Sequence, residues 1–321
     1  MSAAVPMPFI PPGDVTSGAP AALGVLGGGQ LGRMFVHAAQ SLGYATVVLD
    51  PDPAAPAGRA SERQICADYS DPAALAELAG LTQAITTEFE NVPAAALEAL
   101  ARTHSVSPAA SAVAIAQDRS REKAHFARCA AASGVAPAPY AVIDGEAALT
   151  AVPAALLPGI LKTARLGYDG KGQARVRTRA ELAAAWARMG RVPCVLEQWL
   201  PLASECSVIV ARGANGRTVS LPVQRNVHRD GILAVTEVHE GNMPPALAGR
   251  ALAATVDIAD ELGYVGVLCV EYFVLQDGAL VVNEMAPRPH NSGHYSIDAC
   301  DVSQFDLQVR AMTGLPLVQP R

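Results

Sequence analysis

The sequence predicts an α/β protein, an N-terminal doubly wound parallel sheet followed by two lobes of mixed α+β texture. Three observations carry this. The apolar strand Leu23-Gly24-Val25-Leu26 runs into the glycine turn Gly27-Gly28-Gly29-Gln30-Leu31-Gly32 and an amphipathic stretch, the start of a βαβ unit. Beyond Pro137-Ala138-Pro139 the texture changes to short strands interspersed with helices. Near the end, two Val- and Leu-rich strands flank Gln276-Asp277-Gly278, and each carries a glutamate, Glu271 and Glu284.

Taken in order, strand 23–26 leads to a helix through about residue 42 and a strand at 45–50 that ends in Asp50. A helix over 72–79, a strand at 83–87 and a helix over 93–101 continue the alternation expected of a parallel sheet. Residues 109–132 read as helix with an interruption near Asp118. Strands at 140–143, 159–163, 173–176 and 192–198, with helices near Glu146 and Glu181, make a small lobe. The third part holds strands at 206–211 and 218–223, a long helix over 245–262, the glutamate hairpin and a last helix over 303–312. The expected domains are therefore 22–119, 120–197 and 198–315, with 316–321 beginning a further region. Residues 1–21 are rich in Pro, Ala and Gly and lack both a basic start and an unbroken apolar run, so they read as a disordered extension and not as a signal peptide.

Half of the 321 residues are hydrophobic and the formal net charge is −6, which argues against general nucleic-acid binding. No apolar run is long enough to span a bilayer. Six widely spaced cysteines without a CxxC pair fit free thiols in a reducing cytoplasm.

Asp-Gly favours a two-residue hairpin turn. With Asp277-Gly278 in that role, Leu275 pairs with Leu280, Phe273 with Val282 and Glu271 with Glu284. The two carboxylates then lie side by side, roughly 5 Å apart at Cβ, on the face that carries Cys269, Phe273 and Leu275. Like charges so placed repel unless a cation lies between them. Mg2+ that also holds phosphates is bound by one or two carboxylates in this way. A solvated edge hairpin is the alternative, against which the apolar flanks speak.

The second motif is Gly167-Tyr168-Asp169-Gly170-Lys171-Gly172-Gln173, a glycine-rich loop between two strands whose amides could close over phosphates. Lys162, at the end of the preceding strand, offers a point charge beneath it. A surface hairpin with a solvated lysine is the plain alternative. Glu197-Gln198-Trp199-Leu200 resembles an inter-lobe hinge whose backbone could read an adenine edge, Glu205 could accept from ribose hydroxyls, and His228 reads as a polar loop residue. Taken singly, each of these is better explained by a structural role. The turn Gly27, Gly29, Gly32 with Asp50 also fits the dinucleotide fingerprint, which keeps an NAD-dependent oxidoreductase open. The same turn can hold any phosphate at a helix N-terminus.

The order Lys162, glycine loop, Glu197-Gln198, Glu205, Glu271, Asn283-Glu284, Arg288-Pro289-His290-Asn291-Ser292-Gly293-His294 resembles an ATP-grasp carboxylate–amine ligase. Within that superfamily the chain is similar to the N5-carboxyaminoimidazole ribonucleotide synthase family of purine biosynthesis, through residues 26–33, 87–93 and 288–294. The likeness runs from about Leu23 to Pro320. It implies an ATP-grasp module after the first domain and an ATP-dependent, ADP-forming carboxylation of 5-aminoimidazole ribonucleotide by bicarbonate, through carboxyphosphate.

By the same resemblance, Glu271 and Glu284 hold Mg2+, Lys162 and residues 167–173 (Gly167, Tyr168, Asp169, Gly170, Lys171, Gly172, Gln173) cover the phosphates of ATP, and Arg119 and His228 contact the nucleotide. Glu197, Gln198, Trp199, Leu200 and Glu205 seat adenine and ribose, with Asn283 supporting the metal. Arg288, His290 and Asn291, with Ser292, are placed for bicarbonate, Arg288 through two parallel hydrogen bonds. The ribonucleotide would meet Gly29, Gln30, Leu31 and Glu88, and Tyr168 and Asp169 could reach it from the loop, Asp169 as acceptor of the amine proton. Family members are usually cytoplasmic homodimers and continue into a small β-rich C-terminal region that adds basic residues for the ribonucleotide phosphate, where this sequence ends at Arg321. Two related readings stay open: a ligase with another acceptor, such as a formate-dependent glycinamide ribonucleotide transformylase, and a truncated protein that binds nucleotide with weak activity.

Overall fold

The computed structural model describes residues 9–13, 18–167, 172–229 and 231–321. Among these residues the strands form three sheets. The first takes in β1 (Ala22–Leu26), β2 (Ala45–Leu49), β3 (Arg63–Ile65), β4 (Ala84–Thr87) and β5 (Ser105–Val106), all parallel, in the order β3-β2-β1-β4-β5. Helices α1 (Gln30–Ser41), α2 (Pro72–Leu81) and α3 (Ala94–Leu100) make the crossovers. Asp71 caps α2 by accepting from the amides of Ala73 and Ala74, with Pro72 in the first helical position. The chain order reverses between β1 and β4, so a crevice opens at their C-terminal ends. The glycine turn after β1 and Glu88 after β4 both lie there.

Part of the extension expected to be disordered is anchored instead. Ile10 is buried beside Tyr44 and Met312, its amide donates to the carbonyl of Thr313 (2.9 Å), and Tyr44 Oη donates to its carbonyl (2.7 Å).

Helix α4 (Ala110–Ala116) breaks at Asp118, which accepts from the amides of Ser120 and Arg121 and so starts α5 (Arg119–Ser133). The small sheet is antiparallel in the order β6-β9-β7-β8, from β6 (Tyr140–Ile143), β7 (Gly159–Thr163), β8 (Gln173–Val176) and β9 (Cys194–Gln198). With α6 (Glu146–Ala151) and α7 (Arg179–Arg188) it closes a core around Leu161, Trp186 and Leu196. Helix α5, assigned from the sequence to this lobe, buries Phe126 and Cys129 in the next core, with Ile258 and Val270.

That core lies under the large sheet of β10 (Leu202–Arg212), β11 (Thr218–Ser220), β12 (Gln224–Arg229), β13 (Ile232–Glu237), β14 (Gly266–Leu275) and β15 (Leu280–Ala286). The order is β13-β12-β10-β14-β15, with β11 beside β10. His228, read as a loop residue, sits on β12; the strand was hidden because its buried positions, Gln224 and Asn226, are polar and bond to Ser207. Helix α8 (Pro245–Glu261) covers the face shared with α5. After the short α9 (Ser296–Ala299), α10 (Gln304–Thr313) covers the other face. Phe305, Val309 and Met312 of α10 pack with Phe35, Val36 and Tyr44 of the first domain, while Leu307 and Ala311 pack on Ile209 and Val267. No helix among the described residues is long and apolar enough to cross a membrane.

Candidate active site

Strands β14 and β15 form the expected hairpin with a different turn. The amide of Gly278 donates to Leu275 and that of Leu275 to Ala279, so the loop has three residues and closes on Gly278 at φ 82°. Val274 therefore pairs with Leu280, Phe273 with Val281 and Tyr272 with Val282, each one residue away from the expected register. A bulge between Glu271 and Tyr272 then leaves Asn283 as an extra residue in β15 and restores the pair Glu271–Glu284. Both glutamates line one cleft together with Phe273, Asn283, Arg119 and Lys162.

The charges in this cleft are arranged by sign. Burial, and then the charge of Glu284, push the Glu271 carboxyl up to about 8. Burial acts the same way on Glu284, but Arg119, whose Nη1 donates to its Oε2 at 3.3 Å, and Lys162 outweigh it and keep that carboxyl below the usual range. Among the described residues no group of three or more His, Cys, Asp or Glu forms a self-sufficient metal site. Two adjacent carboxylates, and a buried Asn283 Oδ1 with no hydrogen-bond partner, fit a hard cation that draws its other ligands from phosphate oxygens.

Lys162 on β7 donates to Glu197 Oε2 on β9 (2.9 Å). Glu197 also pairs with the fully buried Lys123 of α5 at 3.3 Å. Burial opposes charge on Glu197, yet Lys123, Lys162 and Arg119 hold its carboxyl down to about 2. It is therefore the buried counter-ion of two lysines. The hinge residues Gln198, Trp199 and Leu200 lie outside the cleft lining: the amides of Gln198 and Trp199 donate to the carbonyls of Pro139 and Pro158, and Arg175 stacks on the Trp199 ring at 4.3 Å. Apolar lining comes instead from Ile160, Leu202 and Phe273.

Glu205 Oε2 holds His228 Nδ1 at 2.9 Å, and this bond raises the imidazole above its usual value against the effect of burial. Gly167, Gly172 and Gln173 border the cleft; Tyr168, Asp169, Gly170 and Lys171 lie outside the described residues.

Arg288, His290 and Asn291 line the cleft beyond β15. Arg288 spends Nε on Glu90 (2.7 Å) and Nη1 on the carbonyl of Pro289 (3.0 Å). His290 is pushed down to about 3 by burial and then by Arg288, so its ring is neutral. Its Nδ1 meets Ser292 Oγ at 2.9 Å and its Nε2 meets Glu271 at 3.2 Å. Ser292 is wholly buried and supports His290 from behind.

In the first domain, Glu88 accepts from the amides of Gly29 (2.8 Å) and Gly32 (2.7 Å), and Asp50 accepts from Gly28 (2.6 Å) and Tyr69 Oη (2.7 Å). The amides that would hold a dinucleotide pyrophosphate are thus occupied by the protein's own carboxylates. Gly29, Gln30, Leu31 and Glu88 sit at the crevice of this domain and not among the residues that line the cleft.

Known proteins decide the family. Residues 21–117 match the ribonucleotide synthetase preATP-grasp domain and residues 128–305 the ATP-grasp domain. An N5-carboxyaminoimidazole ribonucleotide synthase of Brucella melitensis biotype 1 is 45% identical over 302 residues, which cover 92% of this chain and 81% of that protein. The chain belongs to the N5-carboxyaminoimidazole ribonucleotide synthase family. The N5-carboxyaminoimidazole synthetase of Staphylococcus aureus, solved with ADP, superposes with a TM-score of 0.88 at 34% identity and covers 99% of this chain and 82% of its own. The Aspergillus clavatus synthase, solved with ADP and 5-aminoimidazole ribonucleotide, gives 0.84 at 30% identity, covering 93% and 78%. Membership in this synthase family overturns the oxidoreductase reading of the glycine turn.

Sequence reasoning missed Glu90, Glu122 and Lys123. A signal existed for two of them: Arg119, Glu122 and Lys123 are spaced i, i+3, i+4, one face of a helix.

Proposed function

We propose that this chain carries out the ATP-dependent carboxylation of 5-aminoimidazole ribonucleotide by bicarbonate, giving N5-carboxyaminoimidazole ribonucleotide, ADP and phosphate. A bicarbonate oxygen attacks the γ-phosphorus of ATP, ADP leaves, and the amine of the ribonucleotide then displaces phosphate from the carboxyl carbon. The observation that carries the nucleotide half is the Glu271–Glu284 pair in one cleft with Arg119 and Lys162. The acceptor rests on the likeness to relatives of that activity, one of them solved with ADP and 5-aminoimidazole ribonucleotide.

Phosphoryl transfer needs charge neutralisation and alignment more than covalent help. Mg2+ on Glu271, Glu284 and Asn283 would neutralise the phosphate oxygens and align the transferred group. Lys162 and Arg119 supply fixed positive charge in the cleft, and the glycine-rich segment 167–173 would cover the phosphates. Ile160, Leu202 and Phe273 offer an apolar slot for the base, and Glu205 with His228 borders it. Arg288, with Nε and Nη1 engaged, offers Nη2 to bicarbonate, Asn291 adds a hydrogen bond without charge, and the neutral His290, held between Ser292 and Glu271, orients that carboxyl. Carboxyphosphate is labile in water, so exclusion of solvent matters for coupling. The working enzyme on this reading is a cytoplasmic homodimer.

The test is ADP release measured in bicarbonate buffer. Release that rises at least tenfold on adding 5-aminoimidazole ribonucleotide, and not on adding glycinamide ribonucleotide with formate, is the expected result. Release indifferent to the aminoimidazole would mark a nucleotide-binding protein of weak activity, and a response to formate would mark the transformylase chemistry.

A further inference from the structure

The bulge at Asn283 has a price in backbone hydrogen bonds, and α5 meets it. Lys123 Nζ donates to the carbonyl of Asn283 at 2.8 Å, and Glu122 Oε1 accepts from the amide of Met285 at 2.8 Å. Between these two backbone groups stands Glu284, whose carboxylate takes Arg119 at 3.3 Å. All three side chains project from the first two turns of one helix, whose start is fixed by the Asp118 cap. Lys123 and Glu122 are both buried, at 0% and 3% exposure. Such a site is costly to build, since buried charges contribute no more stability than well-packed apolar side chains of similar volume. An apolar pair would, however, leave the Asn283 carbonyl and the Met285 amide without partners.

The register shows what is at stake. Continued without a bulge from Tyr272–Val282, the ladder would set Asn283 opposite Glu271 and turn Glu284 to the other face of the sheet, towards the core of Val270 and Tyr272. We propose that Glu122 and Lys123 are positioning residues, a clamp on the Asn283 bulge that keeps Glu284 beside Glu271 on the cleft face. The proposal rests on the reading of that pair as the seat of magnesium-nucleotide.

The test compares ADP binding with Mg2+ and in EDTA, by calorimetry, for the unaltered chain and for Lys123→Met, Glu122→Leu and Glu122→Gln. Lys123→Met and Glu122→Leu should bind metal-free ADP within about threefold of the unaltered chain and lose at least tenfold of the gain that Mg2+ confers. Glu122→Gln keeps an acceptor for the Met285 amide and should retain that gain. Full retention of the gain in folded Lys123→Met and Glu122→Leu overturns the clamp, as does its loss in Glu122→Gln. Should the first two variants not fold, amide exchange on the unaltered chain decides. A Met285 amide among the slowest of β15 supports the clamp, and one exchanging as fast as a strand end overturns it. An unaltered chain with no Mg2+-dependent gain contradicts the magnesium-nucleotide reading itself.

Discussion

At the scale of single residues, the cleft depends on carboxylates held in opposite states. Glu197 is kept ionised far below its ordinary range by Lys123, Lys162 and Arg119. Its folded-state value is depressed, so its contribution to stability is present above the usual carboxylate range and is lost as pH falls from about 4.5 towards about 2. Glu197→Gln should cost about 3–5 kcal/mol, the usual penalty for stripping one partner from a buried ion pair, and should flatten the acid limb of stability against pH measured by urea unfolding. Glu271 behaves in the reverse sense. Its folded-state value is raised to about 8, so without metal the carboxyl erodes stability as pH rises from about 4.5 to about 8. Glu271→Gln should remove that slope, leave the metal-free protein at least as stable at pH 8, and weaken the Mg2+-dependent binding of ADP tenfold or more. Not all of this was visible in the sequence. Lys162 and Arg288 stand out as cations beside recognisable motifs, and Arg119 enters only through the family resemblance. Lys123 and Glu122 sit in the run Arg119-Ser120-Arg121-Glu122-Lys123, which reads as a solvated helix turn, and only the packing of α5 under the large sheet buries them.

Elements set these residues in place through hydrogen bonds that propensity alone does not reveal. The pairing of Glu271 with Glu284 came correctly from the sequence for a reason that was only half right. The turn is one residue longer than Asp-Gly suggests, and the Asn283 bulge compensates for it. Neither departure leaves a mark on the alternation of Val and Leu, because a bulge is decided by what receives its stray backbone groups. The glycine turn after β1 is a parallel case. Its spacing is legible, but its occupant is Glu88, sixty or so residues away in sequence and brought there by β4. A Cβ on Gly32 would lie 2.7 Å from the carbonyl of Gly27. Gly32→Ala should therefore cost about 1–3 kcal/mol, as overpacking does, read as a lower urea midpoint with an unchanged slope.

For the whole molecule, α10 is the joint. One side of it belongs to the core of the first domain and the other to the large sheet, so the crevice and the cleft are held in fixed relation. The order of domains was readable from the change in texture after residue 137 and from the motifs. The sharing of α5 and α10 between bodies was not, since a helix with two apolar faces looks the same in sequence whichever neighbours it joins. Phe305 is 1% exposed at this joint. Phe305→Ala should cost about 3–5 kcal/mol, and calorimetry should show one unfolding transition for the unaltered chain and two for the variant, as the first domain uncouples.

In the proposed reaction ATP activates bicarbonate in the Glu271–Glu284 cleft before the amine attacks. Turnover of 18O-labelled bicarbonate with ATP and 5-aminoimidazole ribonucleotide, followed by mass spectrometry of the phosphate, tests it directly. One labelled oxygen should appear in each phosphate released. Phosphate without label, its fourth oxygen drawn from water, at an undiminished rate of ADP formation, would refute it.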